Sequence, residues 1–296
     1  MSSSAAATEL RSGKTHRDEN FPVASVLIEQ RHRPVILSFY RFARDADDIA
    51  DHATLSPEAK LELLEDFRAT LMGERDTTAV AIQLRDLLKS RNLTVQHAVD
   101  LLEAFRRDVT VLRYPDWNAL LDYCRYSAMP VGRFVLDVHG EARETWPAND
   151  ALCAALQIIN HLQDCKKDCR ELDRIYLPQD ALLEAGLGRD SLLAEKASPA
   201  LQRALTNLAR RTTDLWATAR PFAARIRNAR LAFEVSAIQS LAEDLAARLA
   251  RRDPLSQRVH HTKLEMIPLL TRATLRFATT RFGAKKRRLR LRGDPR

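Results

Sequence analysis

The sequence predicts an all-α protein, and three observations carry that prediction. Only 8 glycines occur among 296 residues. No stretch alternates β-branched and polar residues at period two, the pattern of a half-buried strand. Long segments rich in Ala, Leu, Arg and Glu dominate instead, and these are strong helix formers. The hydrophobic and charged fractions, 45% and 29%, are ordinary for a globular chain. Length alone would permit two domains, but no Gly/Ser-rich linker divides the sequence. One helical domain over residues 19–281 is expected, between a disordered lead (1–18) and a basic tail (282–296).

The elements follow from local signals. Pro34 suits the first turn of a helix whose apolar positions run from Val35 to Ile49. Pro57 opens another, with Leu61, Leu64, Phe67 and Leu71 on one stripe. Thr94 can cap a helix reaching about Arg107, and Asp116 one from Trp117 to about Val138. Asn149 or Asp150 can cap a helix from Ala151 to about Arg170, and the loop after it ends at Pro178. Ser198 and Pro199 open a long helix that Pro221 should kink or break. Further helices are expected over 228–250 and 262–281, and no internal repeat is evident.

Composition excludes several classes. No run of about 18 apolar residues is present to span a bilayer. The polar N-terminus lacks the apolar core of a secretion signal. The four cysteines (Cys124, Cys153, Cys165 and Cys169) form no CxxC pair and fall in helical patterns. They read as buried, reduced thiols of a cytoplasmic protein. Charge is concentrated at one end: residues 281–296 hold eight basic side chains against Asp294, a net +7 of the chain's +8, which leaves +1 for the rest. The run KKRRLRLR admits three readings: a solubilising end, a nucleic-acid patch, or an anchor to the anionic inner face of a membrane. No aromatic interleaving or motif supports nucleic acid.

Two helices bear carboxylates where a core helix should not. In FYRFARDADDIAD, Asp47 and Asp51 lie four apart, with Tyr40 and Arg44 before them on the same face. In ALQIINHLQDCKKDCRELDRIYLP, Asn160, Asp164 and Asp168 form an i, i+4, i+8 stripe on a helix whose first half is apolar. Burying an unpartnered carboxylate is costly enough that it would rather protonate. Four of them on apolar helices make sense around a divalent cation. Magnesium takes hard oxygen ligands and is usually held by one or two carboxylates plus substrate phosphate, so the pattern points to Lewis-acid assistance to a leaving diphosphate. A solvated acidic patch is the bland alternative for one such motif, and two together argue against it.

These two motifs resemble the aspartate-rich motifs of the squalene/phytoene synthase family, and the similarity runs from about Asn20 to about His261. ENFPVAS and YCRYSAMPVGR are similar to the bacterial branch that makes hydroxysqualene for hopanoids; other branches usually show a VAG-type sequence in the second. The resemblance implies a class I isoprenoid-synthase helical bundle with a central apolar cavity. It implies that presqualene diphosphate is ionised with magnesium, that water traps the cation without NADPH, and that a partner synthase supplies the presqualene diphosphate. Asp47, Asp51, Asp164 and Asp168 would hold metal, with Asn160 at the metal–diphosphate group. Asp48 matches the motif but faces about 100° away. Arg44 and Arg174 would contact diphosphate, and Tyr123 and Tyr176 would line the reacting centre.

Departures from the family pattern are local. Gln163 stands where many relatives carry Arg, and is kept as a substrate contact. The Asp168-to-Arg174 spacing is one residue wider than usual. Met129 and Pro130 replace small residues, and a mid-helix proline should kink the helix beside the substrate. Gly132 would allow a helix or prenyl chain to come close. Arg258 and Lys263 are candidates to close the site from the C-terminal side, against a plain solvated face. The rival readings are another head-to-head prenyl synthase, making presqualene diphosphate, squalene or phytoene, and a non-catalytic helical protein that binds membrane or nucleic acid.

Overall fold

The computed structural model describes the backbone from residue 28 to residue 292 and the side chains to residue 279 except at 276. The expected disordered lead, the ENFPVAS segment and the side chains of KKRRLRLR lie outside the described residues. Among those described, the regular structure is helical, with one isolated parallel bridge between Arg113 and Ile175.

Pro34 stands in the first turn of α1 (Arg33–Ala50). Ser56 caps α2 (Pro57–Met72), accepting from the Ala59 N–H at 3.3 Å, and Gly73 ends it at φ 80°, where only glycine is unstrained. Helix α3 (Ala79–Ser90) has no counterpart among the sequence expectations, although its buried Ala81, Leu84 and Leu88 keep helical spacing. Thr94 accepts from the Gln96 N–H at 3.1 Å ahead of α4 (Gln96–Thr110).

Asp116 caps α5 (Trp117–Ser127) through the Ala119 N–H at 2.8 Å. The single helix expected from there to Val138 is two. It breaks at Ala128 (φ −122°, ψ −45°), and α6 (Met129–Val138) follows with Pro130 in its first turn. Pro130 has no N–H for the carbonyl four residues back and its ring crowds that turn. A 3-10 turn (Arg143–Thr145) then leads into α7 (Trp146–Glu171), so Asn149 and Asp150 are not caps. Pro147 already supplies the first turn, and Asn149 is buried.

Two short helices follow, α8 (Gln179–Glu184) and α9 (Arg189–Leu193). Ser198 caps α10 (Pro199–Ala219), and Pro221 breaks it from α11 (Phe222–Arg225), as expected. Asn228 caps α12 (Ala229–Leu249). The last helix, α13 (Lys263–Arg292), does not stop near 281. The backbone helix runs on through the basic run to Arg292.

The buried apolar side chains of the described residues form two clusters. One joins α1 to α4, and Phe134 and Val138 of α6 pack into it; Phe134 stacks on Phe39 at 4.0 Å. The other gathers α5, α7, α10 and α12. Helix α7 is its hub, touching α5, α6, α9, α10 and α12, and Ala154 and Ala155 admit close neighbours. Helix α1 belongs to the first cluster and α7 to the second. The carboxylate helices therefore face each other across the seam between two cores.

Candidate active site

The seam holds a cavity of about 590 Å³. Helix α1 lines it with Ile36, Phe39 and Tyr40, then Arg44, Asp47 and Asp51. Helix α7 lines it with Leu152 and Leu156, then Asn160, Asp164 and Asp168. Each helix changes from apolar to acidic along its length, because the helical period keeps both sets on one face. The acidic ends meet: the Arg174 N–H donates to the Asp168 carbonyl at 3.1 Å, and the Arg174 guanidinium pairs with Asp51. The result is a polar mouth on an apolar interior.

On the α1 side, Arg44 reaches Asp47 and Asp48, each at 2.9 Å. Asp48 is buried and does not line the cavity, in keeping with its position around the helix. Desolvation and the charge of Asp51 raise Asp47 above the usual carboxylate range, against the pull of Arg44. Arg174 is only 5% exposed. It donates to the Asp108 carbonyl at 2.8 Å and the Ala50 carbonyl at 3.0 Å, besides Asp51. The wide Asp168-to-Arg174 spacing is absorbed at Asp173, which takes φ 52° and accepts from Arg113 and Arg189 at 2.9 Å. Aspartate is one of the few residues that tolerates this left-handed turn.

On the α7 side no arginine among the described residues forms an ion pair with Asp164 or Asp168. Asp164 forms no ion pair among the described residues. Desolvation and Asp168 raise its carboxyl, and Lys167 and His260 oppose them. His161 approaches Asp168 at 3.9 Å and stacks on Tyr176 with ring centres 3.7 Å apart.

Between the two sides sits Asp108 of α4, which the sequence expectations omit. It is buried, and it accepts from the Tyr123 hydroxyl at 3.0 Å and the Tyr176 hydroxyl at 2.8 Å. Desolvation pushes it up to about 6, while Arg174 and the two hydroxyls hold it down. Both phenols rise well above their ordinary value, chiefly through desolvation, so they remain donors. Leu101, Phe105 and Asp108 all line the cavity at i, i+4, i+7. A carboxylate on an apolar stripe was the available signal. His161 gave none, because a lone histidine on a buried helix face is usually ordinary core.

Three residues are placed elsewhere. Gln163 does not line the cavity; its amide donates to the Val259 carbonyl, tying the 251–262 segment to α7. Arg258 and Lys263 are exposed and absent from the lining. Gln163 is one residue before Asp164, about 100° around the helix from it, and still further round from Asp168.

A deep apolar chamber with carboxylates, two arginines and two tyrosines at its mouth defines an enzyme of the helical prenyl-diphosphate class. The Squalene/phytoene synthase family model matches residues 14–265, and the chain belongs to that family. It is 56% identical over 261 residues to a hydroxysqualene synthase of Rhodopseudomonas palustris, covering 88% of this chain and 89% of that one. A hydroxysqualene synthase of Zymomonas mobilis is 52% identical, covering 89% of each. Among solved structures, a squalene synthase of Alicyclobacillus acidocaldarius superposes with a TM-score of 0.69 at 32% identity, over 84% of this chain and 93% of that one.

Proposed function

We propose that this enzyme converts presqualene diphosphate and water to hydroxysqualene and diphosphate, as a magnesium-dependent lyase. The observation that carries the reading is the identity above 50% to hydroxysqualene synthases over nearly nine-tenths of the chain. The site is consistent with it. The donors at the mouth are hard oxygens, namely Asp47, Asp51, Asp164, Asp168 and the Asn160 amide, which suit magnesium. No three acidic, His or Cys side chains among the described residues converge on one point. When bound, magnesium supplies charge neutralisation to the departing diphosphate.

The chain's own residues do the rest. Arg44 and Arg174, fixed by their carboxylate partners, turn positive charge toward the diphosphate. Asp108 holds both phenol hydroxyls, so the rings of Tyr123 and Tyr176 are fixed beside the reacting carbons. There their π faces stabilise positive charge. Phe39, Phe105, Leu152 and Val235 keep the prenyl chains dry. The substrate is a C30 diphosphate, which a separate synthase must supply.

Purified protein with magnesium should turn presqualene diphosphate into hydroxysqualene, and NADPH should change neither rate nor product. Squalene formed only with NADPH would instead support a hydride-quenching synthase.

No helix among the described residues is long and apolar enough to cross a membrane. Leu264, Ile267 and Leu275 are 79%, 59% and 64% exposed, on the helix whose sequence later carries the basic run. This supports peripheral binding to an anionic surface. Deleting 284–296 should abolish salt-sensitive co-sedimentation with phosphatidylglycerol vesicles while turnover in detergent persists. Equal sedimentation of both forms would refute the anchor.

A further inference from the structure

The cavity wall carries a hydroxyl that nothing in the fold uses. Ser127 is the last residue of α5 and lines the cavity, and its Oγ is buried without a hydrogen-bond partner. Ser38 and Tyr114 also carry buried, unpartnered hydroxyls, but neither lines the cavity. Leaving such a group desolvated and unpaired is costly. In a cavity that takes substrate, a water or ligand is the natural partner.

Position gives the hydroxyl its meaning. Tyr123, Ser127, Val131 and Val135 are spaced four apart and all line the cavity. They form one wall of the cavity, polar at Tyr123 and Ser127 and apolar at Val131 and Val135. Ser127 stands one turn beyond Tyr123, roughly 6 Å along the axis, where the lining changes from polar to apolar. The carbon that loses diphosphate must lie at that boundary, with its leaving group at the mouth and its chains in the depth.

The helix breaks just after Ser127. The Val131 N–H, which an unbroken helix would give to the Ser127 carbonyl, goes to the Ala128 carbonyl at 3.2 Å. Other polar groups in this wall are spent. The Asn149 amide donates to the Met129 carbonyl at 3.3 Å and to Asp150 at 3.1 Å, and its oxygen takes the Cys153 thiol at 3.6 Å. The Asn149 oxygen and the Cys153 sulfur are also held tightly against Gly132, where an added Cβ would lie 2.0 Å and 2.6 Å from them. Gln157 meets His161 at 3.1 Å.

We infer that Ser127 positions the water that ends the reaction, an assignment that rests on the water-quenching reading above. Its hydroxyl accepts one O–H of that water and aims the oxygen lone pair at the cation. The carbon–oxygen bond forms as the second water proton leaves to the diphosphate released when the substrate C–O bond broke. Ser127 gains and loses no proton overall.

The test uses full-length enzyme, magnesium and presqualene diphosphate, reading diphosphate release and product composition separately. Ser127→Ala should release diphosphate within about threefold of wild type. Its ratio of hydroxysqualene to proton-loss hydrocarbons should fall about tenfold, the worth of one hydrogen bond. Ser127→Thr should restore the ratio. Melting of the Ala variant should be unchanged or higher, since an unpaired hydroxyl is removed. An Ala variant with the wild-type ratio overturns the assignment, as does a ratio that Thr cannot rescue. If wild type itself makes no hydroxysqualene, the reaction reading falls first and this assignment with it.

Discussion

The two carboxylate walls look equivalent in the sequence and are unlike in the fold. The α1 wall is braced: Arg44 spans Asp47 and Asp48, and the buried Arg174 crosses from the loop after α7 to Asp51. Among the described residues the α7 carboxylates are bare of arginine pairing, with His161 at 3.9 Å from Asp168 and no ion pair at Asp164. A braced wall holds its geometry without ligand. A bare wall keeps its charge available to whatever enters the cavity. The difference is one of preorganisation: α1 fixes the register of the site, and α7 leaves its carboxylates less tied.

The largest effect expected is on turnover. Asp51→Asn and Asp164→Asn should each lower it at least about a hundredfold, measured as diphosphate release at saturating magnesium. Near-wild-type rates for both would remove the metal assignment. Stability should then separate the walls. Asp51→Asn strips a partner from buried Arg174, and should cost about 1–2 kcal/mol, a discounted figure because the Asp51 side chain is 35% exposed. Thermal melting should fall by about 2–3 °C. Asp164→Asn removes a carboxylate that its neighbour already disfavours, so melting should stay level or rise. Equal losses in the two variants would erase the contrast.

Asp108 offers a sharper probe, because it serves both walls. Asp108→Asn keeps the volume but presents one acceptor oxygen to two phenols, and turnover should drop about tenfold to a hundredfold. The pH dependence should change as well. The native carboxyl sits near 6 against 3.8 unfolded, so the folded state holds its proton more tightly. Its contribution to stability is full at acid pH and declines as pH rises from about 4 to about 6. The Asn variant should lack that slope in melting temperature against pH. The smallest effect belongs to Arg258→Ala, which should leave turnover within about twofold, since the residue is exposed and off the cavity. A tenfold loss there would show that the 251–262 segment closes onto bound substrate.

Helix periodicity made much of this legible in one dimension. The stripes Asp47–Asp51 and Asn160–Asp164–Asp168, the caps at Ser198 and Asp116, and the break at Pro221 follow from residues within a turn or two of each other. Pro130 was read as a kink, yet the helix through it was still expected to be continuous. One missing N–H and a ring clash suffice to split it when the next helix can start on that proline. Gln163 shows the opposite limit. It sits one residue from a correct stripe, and only the partner it meets, the Val259 carbonyl, shows that it belongs to packing.

The sequence by itself determined most of the helices, which residues share each face, and that two of those faces carry carboxylates. Those are consequences of a 3.6-residue period and of the cost of burying carboxylates. Only the tertiary structure decided which faces meet. It brought Asp108 from α4 under two tyrosines, carried Arg174 across to Asp51 through the left-handed turn at Asp173, and left Ser127 open to the cavity. These relations join residues 15 to 123 positions apart. No local period encodes them, because they depend on how two separate apolar cores settle against each other along one seam.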